Sequence, residues 1–174
     1  MMKTIIACGA GAVLCLAHAA VSAQDVPLTQ EQQTLMRATQ NVATRTETVT
    51  QILNYCMRQD SGFAQSGLDS LRAWRARNQA YVDLGPALRE ELYVLGTRQF
   101  GMSRQETEDT LMSAVQEVAG TFAEEMEKVD DPARRRHACE SYATKIRDGE
   151  LDIGFERPEV KAMLDARLER ARKR

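Results

Sequence analysis

Acid–base or metal chemistry in this chain would have to begin at His137, because the only other histidine, His18, falls in an N-terminal apolar stretch. A general base needs an imidazole within reach of a nucleophile or water, and a multi-histidine zinc site needs more than one. His137 stands beside Arg134, Arg135 and Arg136. It reads as a solvated surface residue. There is no Glu-x-x-His pair for a di-iron bundle, no Cys-x-x-Cys-His for a c-type haem and no Cys-x-x-Cys for thiol exchange. Phosphate-cradling glycine loops and the Gly-x-Ser-x-Gly elbow are also missing. No cofactor and no metal are expected.

Paired carboxylates are the other source of chemistry. Glu124-Glu125 and Asp130-Asp131 could serve as an acid pair, but glycoside hydrolysis needs two carboxylates flanking a cleft usually lined by aromatics. Trp74 is the only tryptophan, and the acids at 106, 108, 109, 117, 124, 125, 127, 130 and 131 are spread as the wet face of one helix would be. Asp148-Gly149-Glu150-Leu151-Asp152 carries a hint of a calcium loop and is too short for one.

The segment Leu71-Arg72-Ala73-Trp74-Arg75-Ala76-Arg77-Asn78 offers binding rather than catalysis. An exposed Trp74 flanked by Arg72, Arg75 and Arg77 would make a hot spot for a protein or an anionic polymer. The alternative is a core Trp74, with Asn78 bonding a helix end one turn on and the arginines in water. Leu71 and Tyr81 on the same face favour the core. The basic end, Arg167, Arg170, Arg172, Lys173 and Arg174, suits a solvated helix C-terminus.

The address comes from residues 1–23. Lys3 precedes an apolar run from Thr4 to Leu16, followed by Ala17-His18-Ala19 and Val21-Ser22-Ala23, the layout of a secretory signal peptide. The run is shorter than the roughly 20 residues of a membrane span. Cleavage after Ala23 is expected, with Ala19 as the alternative, leaving one domain over 24–174. Export would remove Cys8 and Cys15 and leave Cys56 and Cys139, which read as one disulfide in an oxidising compartment. The chain has no Asn-x-Ser/Thr sequon, which favours a bacterial periplasm over a eukaryotic secretory route. A net charge of -2 gives no support to a nucleic-acid partner.

These residues must be positioned by helices, since apolar spacing of three and four recurs and strict alternation does not. Thr29-Gln30-Glu31-Gln32 is a capping box that opens a first helix running to about Gln59, with Leu35, Val42, Val49 and Cys56 in one stripe. Asp60-Ser61-Gly62 breaks it. A second helix is expected from Ser66-Gly67 with Leu68, Leu71, Trp74, Asn78 and Tyr81 on one face. Gly85 is expected in the left-handed position past its end, and Pro86 opens a third helix to about residue 100. Ser103-Arg104-Gln105-Glu106 is a second capping box, ahead of a stripe of Leu111, Val115, Val118, Phe122, Met126 and Val129. Asp131-Pro132 opens a fifth helix that ends at Gly149, residues 150–156 form a loop, and Pro158 opens a last helix. The sum is an all-α, single-domain antiparallel bundle of five to six helices, with Cys56 and Cys139 stapling the first helix to the fifth.

Leu28-Thr29-Gln30-Glu31-Gln32 is similar to the LTxxQ motif of small helical periplasmic stress chaperones of the Spy-like group. That family usually carries the motif twice, as cradle-shaped dimers, whereas this chain carries it once. The stretch from Cys56 through Trp74 to Arg77-Asn78 also resembles small exported bacterial proteins without an assigned activity. The expected function is an exported, non-enzymatic helical protein that binds a partner protein of the cell envelope. A periplasmic chaperone is one alternative; an enzyme using surface carboxylates or His137 is the other. An exposed apolar groove would favour the chaperone, and a deep pocket converging on acids or His137 would favour the enzyme.

Overall fold

The computed structural model describes residues 27–173; the segment read as a signal peptide lies outside them. The first helix, α1 (Gln30–Gln59), starts where its cap dictates. The Thr29 hydroxyl accepts from the Gln32 N–H at 3.2 Å, and the Gln32 amide oxygen accepts from the Thr29 N–H at 2.8 Å. Both donors would otherwise be orphaned at the helix start. Many of its residues are threonines, weak helix formers. Four of them, Thr34, Thr39, Thr46 and Thr50, donate to the carbonyl one turn back. Packing supplies the rest. Leu35, Ala38, Val42, Val49, Ile52, Leu53 and Cys56 are buried, and α1 packs against all five other α-helices.

Five helices surround it: α2 (Ala64–Asp83), α3 (Gly85–Phe100), α4 (Arg104–Glu127), α5 (Pro132–Asp148) and α6 (Pro158–Arg172). No strand occurs among the described residues. The Ser103–Glu106 capping box and the Asp131 cap, whose carboxylate accepts from the Ala133 N–H, open α4 and α5. Cys56 and Cys139 are disulfide-bonded, with Cα atoms 5.6 Å apart, and join α1 to α5. Next to the bond, Phe122 of α4 packs edge-on against Tyr55 of α1 and Tyr142 of α5, with ring centroids 5.8 and 4.7 Å away.

Three expectations are corrected. Leu68 is 41% exposed, because the inward face of α2 runs through Gly67, Ser70, Trp74 and Asn78. Gly67 lies so close to Met57 and Phe63 that a side chain there would crowd both. Small residues, not Leu68, let this helix approach α1. Val118 is 51% exposed, since the α4 stripe steps from Val115 to Ala119 and on to Phe122. Gly85 is not left-handed. Leu84, at φ -74° and ψ -19°, leads straight from α2 into α3. The left-handed glycines are instead Gly101, Gly149, at φ 91° past the end of α5, and Gly154.

Candidate functional site

The segment around Trp74 is the place to begin. Trp74 is 3% exposed, and its indole N–H donates to the Leu151 carbonyl at 3.0 Å. It is a core residue, the alternative that Leu71 and Tyr81 favoured over an exposed partner contact. Arg72 and Arg75 are exposed on α2, with Arg72 paired to Asp69 in its own helix. Arg77 turns the other way. Its guanidinium grips the Asp152 carboxylate at 2.7 and 3.0 Å and donates to the Ile146 carbonyl at 2.6 Å. Asn78, 1% exposed, donates to the Trp74 carbonyl and to Asp152, and its oxygen accepts from the Ile153 N–H at 2.8 Å. One turn of α2 therefore holds the segment 149–157 in place. Asp152 is a structural acceptor rather than a calcium ligand: its carboxylate already takes three N–H donors from α2.

That segment is tied on its other side to α1. The Asn41 side-chain oxygen accepts from the Gly154 N–H at 2.9 Å, and Arg45 meets Glu156 at 3.2 Å. Gly154 has φ 78°, and a Cβ there would press on the Lys161 backbone. Only glycine meets both conditions without strain. Two anchors thus bring Glu156 and Arg157 over the outward face of α1.

A groove results, with α1 as its floor. One end, about 230 Å³, is lined by Arg37, Gln40, Asn41, Thr44, Arg45 and Thr48 of α1, by Val118 of α4, and by Glu156 and Arg157. The floor residues follow the three-and-four spacing of a single helix face. The other end, about 140 Å³, is apolar and sits where α1, α3 and α4 meet: Met36, Leu92, Phe100, Met102, Leu111 and Ala114 line it. Gln40 lines both, so the two depressions adjoin on α1. Gly96 sets the depth of the apolar end. A Cβ at that position would collide with the Thr107 hydroxyl, so α3 and α4 approach closely there.

The polar end carries three arginines against one glutamate. Arg37 faces Glu159 at a loose 3.9 Å, and Arg157 forms no salt bridge among the described residues. The Thr44 and Thr48 hydroxyls differ from those of their helix neighbours: both oxygens are buried and neither has a hydrogen-bond partner among the described residues. Leaving a buried hydroxyl unpaired costs about 1–3 kcal/mol.

Elsewhere the polar side chains are locks between helices. The Arg167 guanidinium, hydrogen-bonded to Glu91, holds the Glu91 carboxyl below its ordinary range. Tyr81 of α2 donates to Asp165 of α6 at 2.5 Å, and Lys161 closes the cluster at 2.7 Å from Asp165. Burial and that bond push the Tyr81 phenol up, and Lys161 and Tyr81 draw the Asp165 carboxyl down. His137 is exposed on α5, and Glu124, Glu125, Asp130 and Asp131 are exposed as well. No group of three or more His, Cys, Asp or Glu able to hold a metal occurs among the described residues, and none of the helices there is long and apolar enough to cross a membrane.

No family model, no curated protein and no solved structure matches this chain. Within the stretch Leu28–Gln32 that resembles the chaperone motif, Thr29 and Gln32 form a capping box. Sequence reasoning missed the groove. Its signals were present: Arg37, Asn41, Thr44, Arg45 and Thr48 form a polar stripe at helical spacing on a helix whose other face is apolar. A helix in the centre of a bundle exposes such a stripe only between its neighbours.

Proposed function

We propose that this chain is an exported, non-enzymatic protein that holds a segment of another cell-envelope protein in the groove along α1. The observation that carries the reading is the groove itself. An apolar depression and an arginine-bearing one adjoin on the central helix, and the segment that walls the arginine-bearing one is fastened by Trp74, Arg77 and Asn78. Interfaces of this kind draw affinity from buried apolar and aromatic side chains and orientation from charge. Residues 1–23 support export to the periplasm, and Gln24 is then the first residue of the mature chain. The net charge of -2 argues for a protein partner over a nucleic acid.

The test is capture from an envelope extract by the tagged protein. Val118 and Phe100 are 51% and 52% exposed, so Val118→Glu and Phe100→Ser alter the groove without touching the core. Capture of a single major partner that both substitutions abolish, and that His137→Ala leaves intact, supports the reading. Capture indifferent to both groove substitutions, or lost with His137→Ala at matched stability, overturns it. N-terminal sequencing of the exported protein should begin at Gln24; Met1 retained on it would remove the address.

The apolar end of the groove also favours the chaperone alternative. A chaperone of that type would slow the aggregation of unrelated unfolded proteins, and Phe100→Ser would weaken that protection. A partner-specific module would leave aggregation unchanged.

A further inference from the structure

Resting on the binding reading above, we propose that the arginine-lined depression on α1 seats an acidic side chain of the partner protein, and that Glu156 holds this seat in the free chain. Arg37, Arg45 and Arg157 line the depression, with Glu156 as its single acid. This excess of positive charge stands on a chain whose net charge is -2, so it is a local feature. A guanidinium is shaped for two parallel hydrogen bonds to one carboxylate. None of these three makes such a contact among the described residues. Arg45, with a side chain 18% exposed, meets Glu156 through one nitrogen and one oxygen at 3.2 Å. Arg37 faces Glu159 at a loose 3.9 Å, and Arg157 forms no salt bridge among the described residues.

Glu156 marks where a carboxylate can sit. Its side chain is 70% exposed and reaches Arg45 from the rim. The segment that bears it is fastened by other bonds, from the Gly154 N–H to Asn41 and from Arg77 and Asn78 to Asp152. Glu156 can therefore leave Arg45 without releasing its segment. An exposed ion pair is weak, so exchange for another carboxylate is near balance until Arg37 and Arg157 add their donors to the newcomer. Asn41 adds another. Its oxygen is taken by the Gly154 N–H, and what it offers beyond that bond is its side-chain N–H donors. Next to Arg157, α6 begins without a side-chain cap, and the positive end of its dipole reinforces the field.

The surroundings select a peptide carboxylate over a phosphate surface. α4 walls the depression through Val118 and carries exposed Glu117, Glu124 and Glu125. A bilayer or a phosphate polymer spreads its charge and would meet those acids; a peptide places its charge on single side chains. Val118, 51% exposed, offers apolar contact to the methylenes of a glutamate, and a depression of about 230 Å³ admits such a side chain.

The probe is N-acetyl-Gly-Glu-Glu-Gly-amide, titrated at constant ionic strength into the folded protein labelled with nitrogen-15. Saturable shifts are expected at the Nε–H signals of the three arginines and at the Asn41 side-chain amide, and none with glutamine in place of both glutamates. Arg37→Gln and Arg157→Gln, both at exposed positions, should each weaken binding roughly three- to tenfold. Glu156→Gln should tighten it about two- to fivefold, by removing the resident acid at similar size, with the thermal midpoint nearly unchanged. The sign is diagnostic, because a Glu156 that only braced the wall would weaken binding when replaced. Absence of saturable shifts, an equal response to the glutamine peptide, or no gain from Glu156→Gln overturns the proposal. So does tighter binding at the same signals by inorganic phosphate or by phosphatidylglycerol vesicles. If the probe fails while envelope capture still depends on Val118 and Phe100, the acid seat falls and the binding reading stands. If capture is also indifferent to them, both fall.

Discussion

Replacing Asn78 with leucine probes the joint on which the groove wall depends. Asn78 is 1% exposed and makes three side-chain hydrogen bonds: to the Trp74 carbonyl at 2.9 Å, to Asp152 at 2.8 Å, and from the Ile153 N–H at 2.8 Å. Leucine is of similar size, so Asn78→Leu opens little space. It leaves the N–H of Ile153, a residue 2% exposed, without a partner. An orphaned buried donor costs about 1–3 kcal/mol. The lost bond to Asp152 adds roughly 1 kcal/mol: the carboxylate is only 21% exposed, but Arg77 continues to hold it. The expected loss is about 2–4 kcal/mol, or roughly 5–15 °C in thermal midpoint for a chain of this size. Amide hydrogen exchange localises the effect. The N–H groups of Ile153 and Gly154 should lose protection, while those of α1 change only with global stability. Affinity for a groove ligand should fall with them, because Glu156 and Arg157 ride on the same segment. A loss below about 1 kcal/mol, or an Ile153 N–H as protected as before, would refute the claim that α2 holds this wall.

Three further outcomes follow from other parts of the fold. The Cys56–Cys139 bond closes a loop with a sequence separation of 83, so replacing both with alanine should lower stability by about 2–5 kcal/mol in denaturant unfolding, mainly by freeing the unfolded chain. Gly96→Ala should destabilise by roughly 1–3 kcal/mol through its clash with Thr107, a buried, β-branched and therefore stiff neighbour. Adding Thr107→Ala should recover part of that loss, which a simple helix-propensity account would not predict. Glu91 has its carboxyl lowered by Arg167, so its contribution is complete above the unfolded value near 4.5 and drains as pH falls through the lower native value. Glu91→Gln should make the acid side of the stability profile shallower and leave the neutral side nearly parallel to wild type.

Much of the scaffold was legible in the residues because the determinants are local. Thr29–Gln32 and Ser103–Glu106 each satisfy their own helix start, and Pro132 and Pro158 fit the first helical turn. Cys56 and Cys139 could be paired because each sits on an apolar stripe. What escaped depends on neighbours distant in sequence. Whether Val118 or Ala119 faces inward depends on where α1 lies against α4, and periodicity alone admits both. Gly85 resembled a helix stop because glycine before proline often is one; here it is buried at the start of α3, where even a Cβ would meet Val42 only at an ordinary contact distance. The Trp74–Asn78 segment could be read as a core face, but not what it fastens. Its contacts lie seventy or more positions away, at Leu151, Asp152 and Ile153, and no local pattern reveals them. The groove was hidden for the same reason: Asn41 and Arg45 become a site only when Gly154 and Glu156 arrive above them.

The central claim is that the outward face of α1, between α4 and the 149–157 segment, is where this protein meets its partner. A photo-crosslinking amino acid placed at Val118 in the cell tests it most directly, with the same amino acid at exposed Arg75 of α2 as the comparison. The account predicts an adduct with one envelope protein from position 118, none from position 75, and loss of the first adduct when Phe100→Ser is added. An adduct from position 75 with none from position 118 would contradict it and return the partner-binding role to the arginines of α2.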